Sequence, residues 1–401
     1  MEDKLVTVVV KPGEADRILA GHPWIYSGSV MRVTGPLEDG AVVQVKDHRH
    51  RFLGVGFYNS KSKINVRLID TERVEITRGY LEERIRAALE LRKRAMPNAT
   101  SFRVVNAESD FLSGLIVDKY EDVLSFQISS LGMETRKPDI IDVLKSVLQP
   151  RAIVERNDIG SRKFEGLSEI QAVVHGKLDG PVTIDLNGVK LEVDLLGGHK
   201  TGYYLDQQVN YQAVSRYAKG ANVLDAFTFI GGFALHAAKA GASRVHGLDQ
   251  SEDAVASAKR NAERNGLQEN CTFETTNVFD WLKTQTTAAA NEKIVPRYDL
   301  IILDPPSFTR NRASVPDALR GYKEIHLRAL KLLKRTGVLA TFCCSHHVDA
   351  NTFQQVILEA AFDARRVLRK IDAYTQSPDH PVIPTIPETE YLKGFAFEVA
   401  R

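Results

Sequence analysis

Val223-Leu224-Asp225-Ala226-Phe227-Thr228-Phe229-Ile230-Gly231-Gly232-Phe233 reads as an apolar strand that runs into a glycine turn. Ala234-Leu235-His236-Ala237-Ala238 then starts a helix. The pattern repeats downstream. Val245-His246-Gly247-Leu248-Asp249 is a second strand, and Ser251 is placed to cap a helix in which Ala254, Val255, Ala258 and Ala262 recur at helical spacing before Asn265-Gly266 closes it. A third strand is expected near Thr272-Phe273-Glu274, a fourth over Tyr298-Asp299-Leu300-Ile301-Ile302-Leu303, and a fifth at Gly337-Val338-Leu339-Ala340. Two more are expected at Arg366-Val367-Leu368 and Phe395-Ala396-Phe397-Glu398-Val399. Strand alternating with helix predicts a doubly wound α/β sheet.

In such a sheet, ligands sit outside the carboxyl ends of the strands. Glycine lacks a Cβ, so the turn with Gly231 and Gly232 lets a ligand approach the backbone closely. Asp225, Phe227 and Thr228 share that turn. Asp249, with Gln250 beside it, ends the next strand, where a carboxylate binds ribose hydroxyls. An adenosine-containing cofactor is implied. The G-x-G-x-x-G spacing that cradles a pyrophosphate is missing, and Asp225 would repel phosphates while attracting a sulfonium. S-adenosylmethionine is therefore favoured over a nicotinamide dinucleotide. Asn277, after the third strand, is placed to meet adenine, and equally to form a turn.

The fourth and fifth strands end in Asp304-Pro305-Pro306-Ser307-Phe308 and Thr341-Phe342-Cys343-Cys344-Ser345. Both ends face one crevice in this topology, which brings together a carboxylate, a proline-stiffened turn and a thiol. A thiol nucleophile beside an acid is what chemistry on a pyrimidine ring requires, since a covalent step divides one high barrier into two lower ones. The competing reading is two ordinary turns and a pair of small buried cysteines.

The 401 residues are 43% hydrophobic and 26% charged, a globular balance that calls for two or three domains. The net charge of +2 excludes a global basic field, so any RNA contact must be local, with Lys61 and Lys63, and Arg310 and Arg312 beside Asp304, as the candidates. Three cysteines, Cys271, Cys343 and Cys344, make no disulfide framework and point to a reducing compartment. No metal-ligand spacing, targeting segment or bilayer-length apolar run is read, so a cytoplasmic protein is expected. The first section, 1–75, holds β-branched runs in the manner of a small β-barrel; the second, 76–190, reads as α+β; the third, 191–401, is the doubly wound part. Asp110, Asp118 and Asp158 are expected to be solvated turn carboxylates.

The run His199-Lys200-Thr201-Gly202-Tyr203-Tyr204-Leu205-Asp206-Gln207, the Asp304 and Cys344 segments, Asp379-His380-Pro381-Val382-Ile383-Pro384 and Tyr391-Leu392-Lys393-Gly394-Phe395 follow in order. Together they resemble the bacterial large-subunit ribosomal RNA cytosine-5 methyltransferase I family over nearly the whole chain. His22-Pro23-Trp24-Ile25-Tyr26-Ser27-Gly28 is similar to that family's PUA RNA-binding domain. The resemblance implies a PUA barrel, a central α+β domain and a Rossmann-like, seven-stranded class I methyltransferase domain whose last strand is antiparallel. It implies S-adenosylmethionine as donor, with Tyr204 and Gln207 joining its binding residues, and large-subunit ribosomal RNA as partner. Cys344 takes the place of the nucleophile, with Asp304 as the carboxylate that binds the base. Cys343 stands where a small residue is common, and Asn277 where an acidic one is. Oligomeric state is left open, a homodimer included. The competing functions are an amino-methyltransferase acting on adenine N6 or guanine N2, and a non-catalytic RNA-binding scaffold.

Overall fold

Downstream of Asn222 the apolar runs form one seven-stranded sheet in the computed structural model, which describes residues 5–198, 200–287, 294–309 and 311–401. Its strands are β1 (Asn222–Ala226), β2 (Arg244–Asp249), β3 (Cys271–Thr275), β4 (Tyr298–Leu303), β5 (Leu333–Cys343), β6 (Leu368–Thr375) and β7 (Lys393–Val399). Their order in space is β3-β2-β1-β4-β5-β7-β6. The strands β1 to β5 are parallel, and β7 is antiparallel to both of its neighbours. The direction of winding reverses between β1 and β4, which opens a crevice at their carboxyl ends.

The associated helices are α1 (Gln208–Ser215), α2 (Gly232–Lys239), α3 (Glu252–Arg264), α4 (Val278–Thr286), α5 (Val315–Leu332) and α6 (Ala350–Asp363). Leu300, Ile301, Ile302 and Leu303 of β4 are fully buried, as a continuous apolar run in a parallel sheet must be. Side chains alternate between the two faces of a strand. On one face Ile301 and Leu303 join a core with Tyr322 and Ile325 of α5 and Phe353 and Ile357 of α6. On α3, Ala254, Val255, Ala258 and Ala262 form the buried stripe that their spacing predicts, and the Ser251 hydroxyl accepts from Ala254 N at 3.2 Å as the N-cap.

Contacts divide the chain into two compact units. One comprises the chain up to Ile184 with Val193–Leu205 and Pro378–Glu390; the other comprises Asp185–Glu192, Asp206–Ser377 and Tyr391–Arg401 and carries the seven-stranded sheet. In the first unit a six-stranded sheet holds Thr7–Val10, Trp24–Tyr26, Val30–Val33, Val42–Lys46, Phe52–Tyr58 and Ile64–Asp70. A five-stranded sheet follows, from Phe102–Asn106 to Gln171–Gly176, with helices Arg78–Ala95 and Lys137–Leu148. Phe57 and Ile69 of the six-stranded sheet share a core with Leu81 and Ile85 of the first of these helices, which makes the two sheets one unit.

Polar bonds hold the two returning stretches in this unit. The hydroxyls of Thr201 and Tyr120 lie 2.9 Å apart, and Arg103 N donates to Asp379 Oδ2 at 2.8 Å. Two of the carboxylates expected in solvent are instead buried. Asp110 accepts both ends of the buried Arg92 guanidinium, at 2.5 and 2.7 Å, and Asp118 accepts from Arg103 at 2.8 and 3.0 Å. Burial opposes ionisation of Asp118, yet Arg103 outweighs it and holds the carboxyl below its ordinary range. Asp158 is exposed, as expected, and pairs with Arg156 at 2.9 Å. Among the described residues no helix is long and apolar enough to cross a membrane.

Candidate active site

The turn between β1 and α2 is held in a demanding conformation. Phe227, Phe229 and Gly231 all have positive φ, at 73°, 51° and 95°. At Gly231 a Cβ would also stand 3.2 Å from Leu235 Cδ1, so glycine serves both the backbone and the packing there. Two carboxylates fasten the turn. Asp225 Oδ2 accepts from Thr228 Oγ1 at 2.6 Å and from Ala234 N at 2.9 Å. Asp249 accepts from Phe229 N and from Ser251 N, each at 2.9 Å.

Asp225 is fully buried, and burial pushes its carboxyl up to about 7, against the two hydrogen bonds and with help from the charge of Asp249. Its side chain is thus a brace inside the turn and not a charge at an open mouth, which corrects the picture drawn from sequence. Its Oδ1 is buried with no hydrogen-bond partner among the described residues. A buried acceptor of this kind, beside a turn with bare backbone, fits a cofactor that brings positive charge to the site. Gly232 opens α2, Thr228 is buried, and Gln250 is exposed. Asn277 is exposed and caps α4, where its Oδ1 accepts from Asp280 N at 3.2 Å. Its side-chain oxygen thus serves a helix end.

The parallel pairing of Leu303 with Thr341 sets the ends of β4 and β5 side by side, so that Asp304 and Cys344 both leave the sheet at its carboxyl edge. The adjacent cysteines are not equivalent. Cys343 is fully buried in the core, whereas Cys344 is partly exposed. The third thiol, Cys271, is buried and pushed up to about 12 by that burial.

A directional chain of hydrogen bonds joins the two loops. Cys343 Sγ donates to Tyr322 Oη at 3.3 Å, Tyr322 and Ser345 hydroxyls lie 3.1 Å apart, Ser345 and Ser307 hydroxyls lie 2.9 Å apart, and Ser307 donates to Thr309 O at 3.0 Å. The final acceptor is a carbonyl, so each hydroxyl can donate onward and the Cys343 thiol supplies the first proton. Lys393, opposite Cys343 in the β5–β7 register, donates to Ser345 O and Val348 O, both at 2.7 Å. It thereby fixes the loop that follows Cys344. Ser307, Ser345 and Lys393 stand in segments quoted from the sequence, but with no role assigned to them there, and Tyr322 lies outside those segments.

Gln207, expected at the cofactor, is buried and donates through Nε2 to Asp304 Oδ2 at 3.0 Å. Behind it Asn210 Nδ2 donates to Gln207 Oε1 at 2.7 Å and to Thr375 O at 2.9 Å. Tyr204 belongs to the first unit, where its ring meets that of Tyr203 and lies under the Lys200 ammonium, 4.4 Å from the centroid. Lys61, Lys63 and Arg312 are exposed; Arg310 and His199 lie outside the described residues. Among the described residues no cluster of His, Cys, Asp or Glu could hold a metal ion.

This sheet order, with its glycine turn and paired acidic residues, is that of a class I methyltransferase. Residues 171–386 match the family model of an S-adenosylmethionine-dependent methyltransferase, and residues 8–71 match that of a PUA-like domain. S-adenosylmethionine is the cofactor of this class. A solved methyltransferase, SMU.776 complexed with SAH, shares the fold at a TM-score of 0.83 and 23% identity, covering 98% of this chain and 100% of that one. A methyltransferase from Streptococcus mutans does so at 0.81 and 21%, with the same coverage.

Closer in sequence are curated relatives named ribosomal RNA large subunit methyltransferase I. The protein of Vibrio vulnificus (strain CMCP6) is 37% identical over 393 residues, covering 96% of this chain and 98% of its own. That of Shewanella denitrificans is 36% identical over 400 residues, covering 98% and 99%. The chain belongs to the ribosomal RNA large subunit methyltransferase I family.

Proposed function

We propose that this protein makes 5-methylcytosine in large-subunit ribosomal RNA, with Cys344 as nucleophile and Asp304 as the carboxylate that binds the base. The observation that carries this reading is the contrast among the thiols: Cys271 and Cys343 are buried, and the partly exposed one, Cys344, follows the strand beside the one that ends at Asp304. The relatives' name supports ribosomal RNA as the substrate, and the PUA-like part supports RNA contact. Lys61, Lys63, Arg310 and Arg312 are proposed phosphate contacts.

The Cys344 thiolate adds to C6 of the ring, the electron pair of the C5–C6 double bond shifts toward C5, and N3 takes up a proton from water. Asp304 accepts from the exocyclic amine and N3–H, which favours that protonated ring. The turn from Asp225 to Gly232, with Asp249, Gln250 and Asn277, would hold S-adenosylmethionine, which would supply the methyl group to C5 and leave as S-adenosylhomocysteine. Loss of the C5 proton to a base re-forms the double bond and expels the Cys344 thiolate. Splitting the reaction around a covalent adduct is what the thiol contributes. A base in a duplex must first leave its stack at a cost of a few kcal/mol, so unpaired RNA is the easier substrate.

The amino-methyltransferase alternative leaves Cys344 idle. It also asks for an aromatic ring at the Asp-Pro-Pro turn, whereas the Phe308 ring packs on Tyr322 and Phe279, with centroids 4.6 and 5.6 Å apart. Nucleoside mass spectrometry of RNA treated with the purified protein and S-adenosylmethionine tests the proposal. Cys344→Ala is expected to abolish 5-methylcytosine while still binding SAH, and Cys343→Ala to retain it. The reverse pattern, or methylated adenine or guanine in place of cytosine, overturns the assignment.

A further inference from the structure

Resting on the reading of Asp304 as the base-binding carboxylate, we infer that Gln207 and Asn210 are positioning residues that orient Asp304 through a one-way hydrogen-bond relay. The polarity of the relay follows from its far end. Thr375 O is a carbonyl and can only accept, so the atom of Asn210 that faces it at 2.9 Å is the amide nitrogen. The same nitrogen donates to Gln207 at 2.7 Å, which makes the facing atom Oε1 and turns Nε2 toward Asp304 Oδ2 at 3.0 Å. Amide orientations are otherwise ambiguous, and here the main chain resolves both of them. Asp304 Oδ2 is thereby required as an acceptor.

The relay is enclosed and anchored. Gln207 and Asn210 are each 3% exposed, so water does not replace these bonds when one is removed. The two residues are three apart at the start of α1, a spacing that puts side chains on one helix face. Their backbone is tied to the end of β6: Ser377 N donates to Asp206 O at 2.8 Å, and Val209 N donates to Ser377 Oγ at 3.2 Å. Tyr391 Oη donates to Asp206 Oδ2 at 2.6 Å. A carboxylate at the end of β4 is thus oriented by a helix that precedes β1 and by the far strand β6. Removing this donor loosens one hold on the carboxylate, and a loss of orientation at a reacting base lowers the rate.

The test uses the full chain, labelled S-adenosylmethionine and a large-subunit ribosomal RNA transcript. Gln207→Leu removes the donor at similar volume; kcat is expected to fall roughly ten- to hundredfold, the scale of a hydrogen bond to a charged group. KM for RNA and Kd for SAH are expected to stay within about twofold, the pattern of an interaction that matters only in the transition state. Asn210→Asp cannot donate to Thr375 O and Gln207 Oε1, and is expected to lower kcat similarly. Gln207→Glu sets two carboxylates together and lowers the melting temperature; adding Asp304→Asn is expected to recover it, which registers the contact apart from catalysis. If Gln207→Leu does not fold, these last variants carry the test. Loss of SAH affinity in step with kcat would make Gln207 a cofactor contact and overturn the relay, as would unchanged kcat in Asn210→Asp. Full activity in Asp304→Ala would instead sink the reading of Asp304, a result that the stability cycle tells apart.

Discussion

Asp225 shows how one buried carboxyl serves two demands. Its hydrogen bonds to Thr228 and Ala234 shape the turn, while burial raises its proton affinity to a pKa of about 7. The unfolded chain releases this proton near the ordinary value of about 3.9. Between those values the folded state holds more protons than the unfolded one, so this group lowers stability as pH rises through the window. Asp225→Asn removes the slope. Without cofactor, the melting temperature of the variant relative to the parent is expected to rise between about pH 4.5 and pH 7.5, and calorimetry at the two pH values checks it. An offset that does not change with pH would contradict the assignment. The cysteines teach the same lesson by contrast: neighbours in sequence differ in fate because Cys343 still faces the core while Cys344 has left the strand.

Elements end where side chains satisfy their loose backbone groups. The caps of α3 and α4 are both local: Ser251 is read as a cap from the sequence, and Asn277 takes the same part in α4. For Asn277 the sequence offered a turn former or an adenine contact, and in the structure it caps a helix. Asn277→Ala is expected to cost about 1 kcal/mol of stability while Asn277→Asp retains it, as measured by denaturant unfolding. Parallel titrations with SAH show whether the amide nitrogen adds a cofactor contact. The strands and most helices were legible because burial imposes a period on the sequence. The hydroxyl chain from Cys343 to Ser307 and the Lys393 clamp were not, since their members come from β5, α5, β7 and two loops, and leave no periodic trace.

At the scale of the whole molecule, a net charge of +2 means that RNA affinity must come from local patches. If Lys61, Lys63 and Arg312 meet phosphates, replacing each by Glu is expected to flatten the log–log salt dependence of binding, by roughly 0.7 to 0.9 per lost contact. Filter binding across a salt series measures the slope, and an unchanged slope removes that residue from the interface. The sequence by itself determined the alternating sheet, the glycine turn and the family, because hydrophobic periodicity and short motifs are properties of neighbouring residues. Only the tertiary structure decided that Val193–Leu205 and Pro378–Glu390 return to the first unit, that Cys344 and not Cys343 is accessible, and that Gln207 binds Asp304. Each of these depends on hydrogen bonds or burial between residues far apart in the chain, and such pairings are set by packing, which no local pattern encodes.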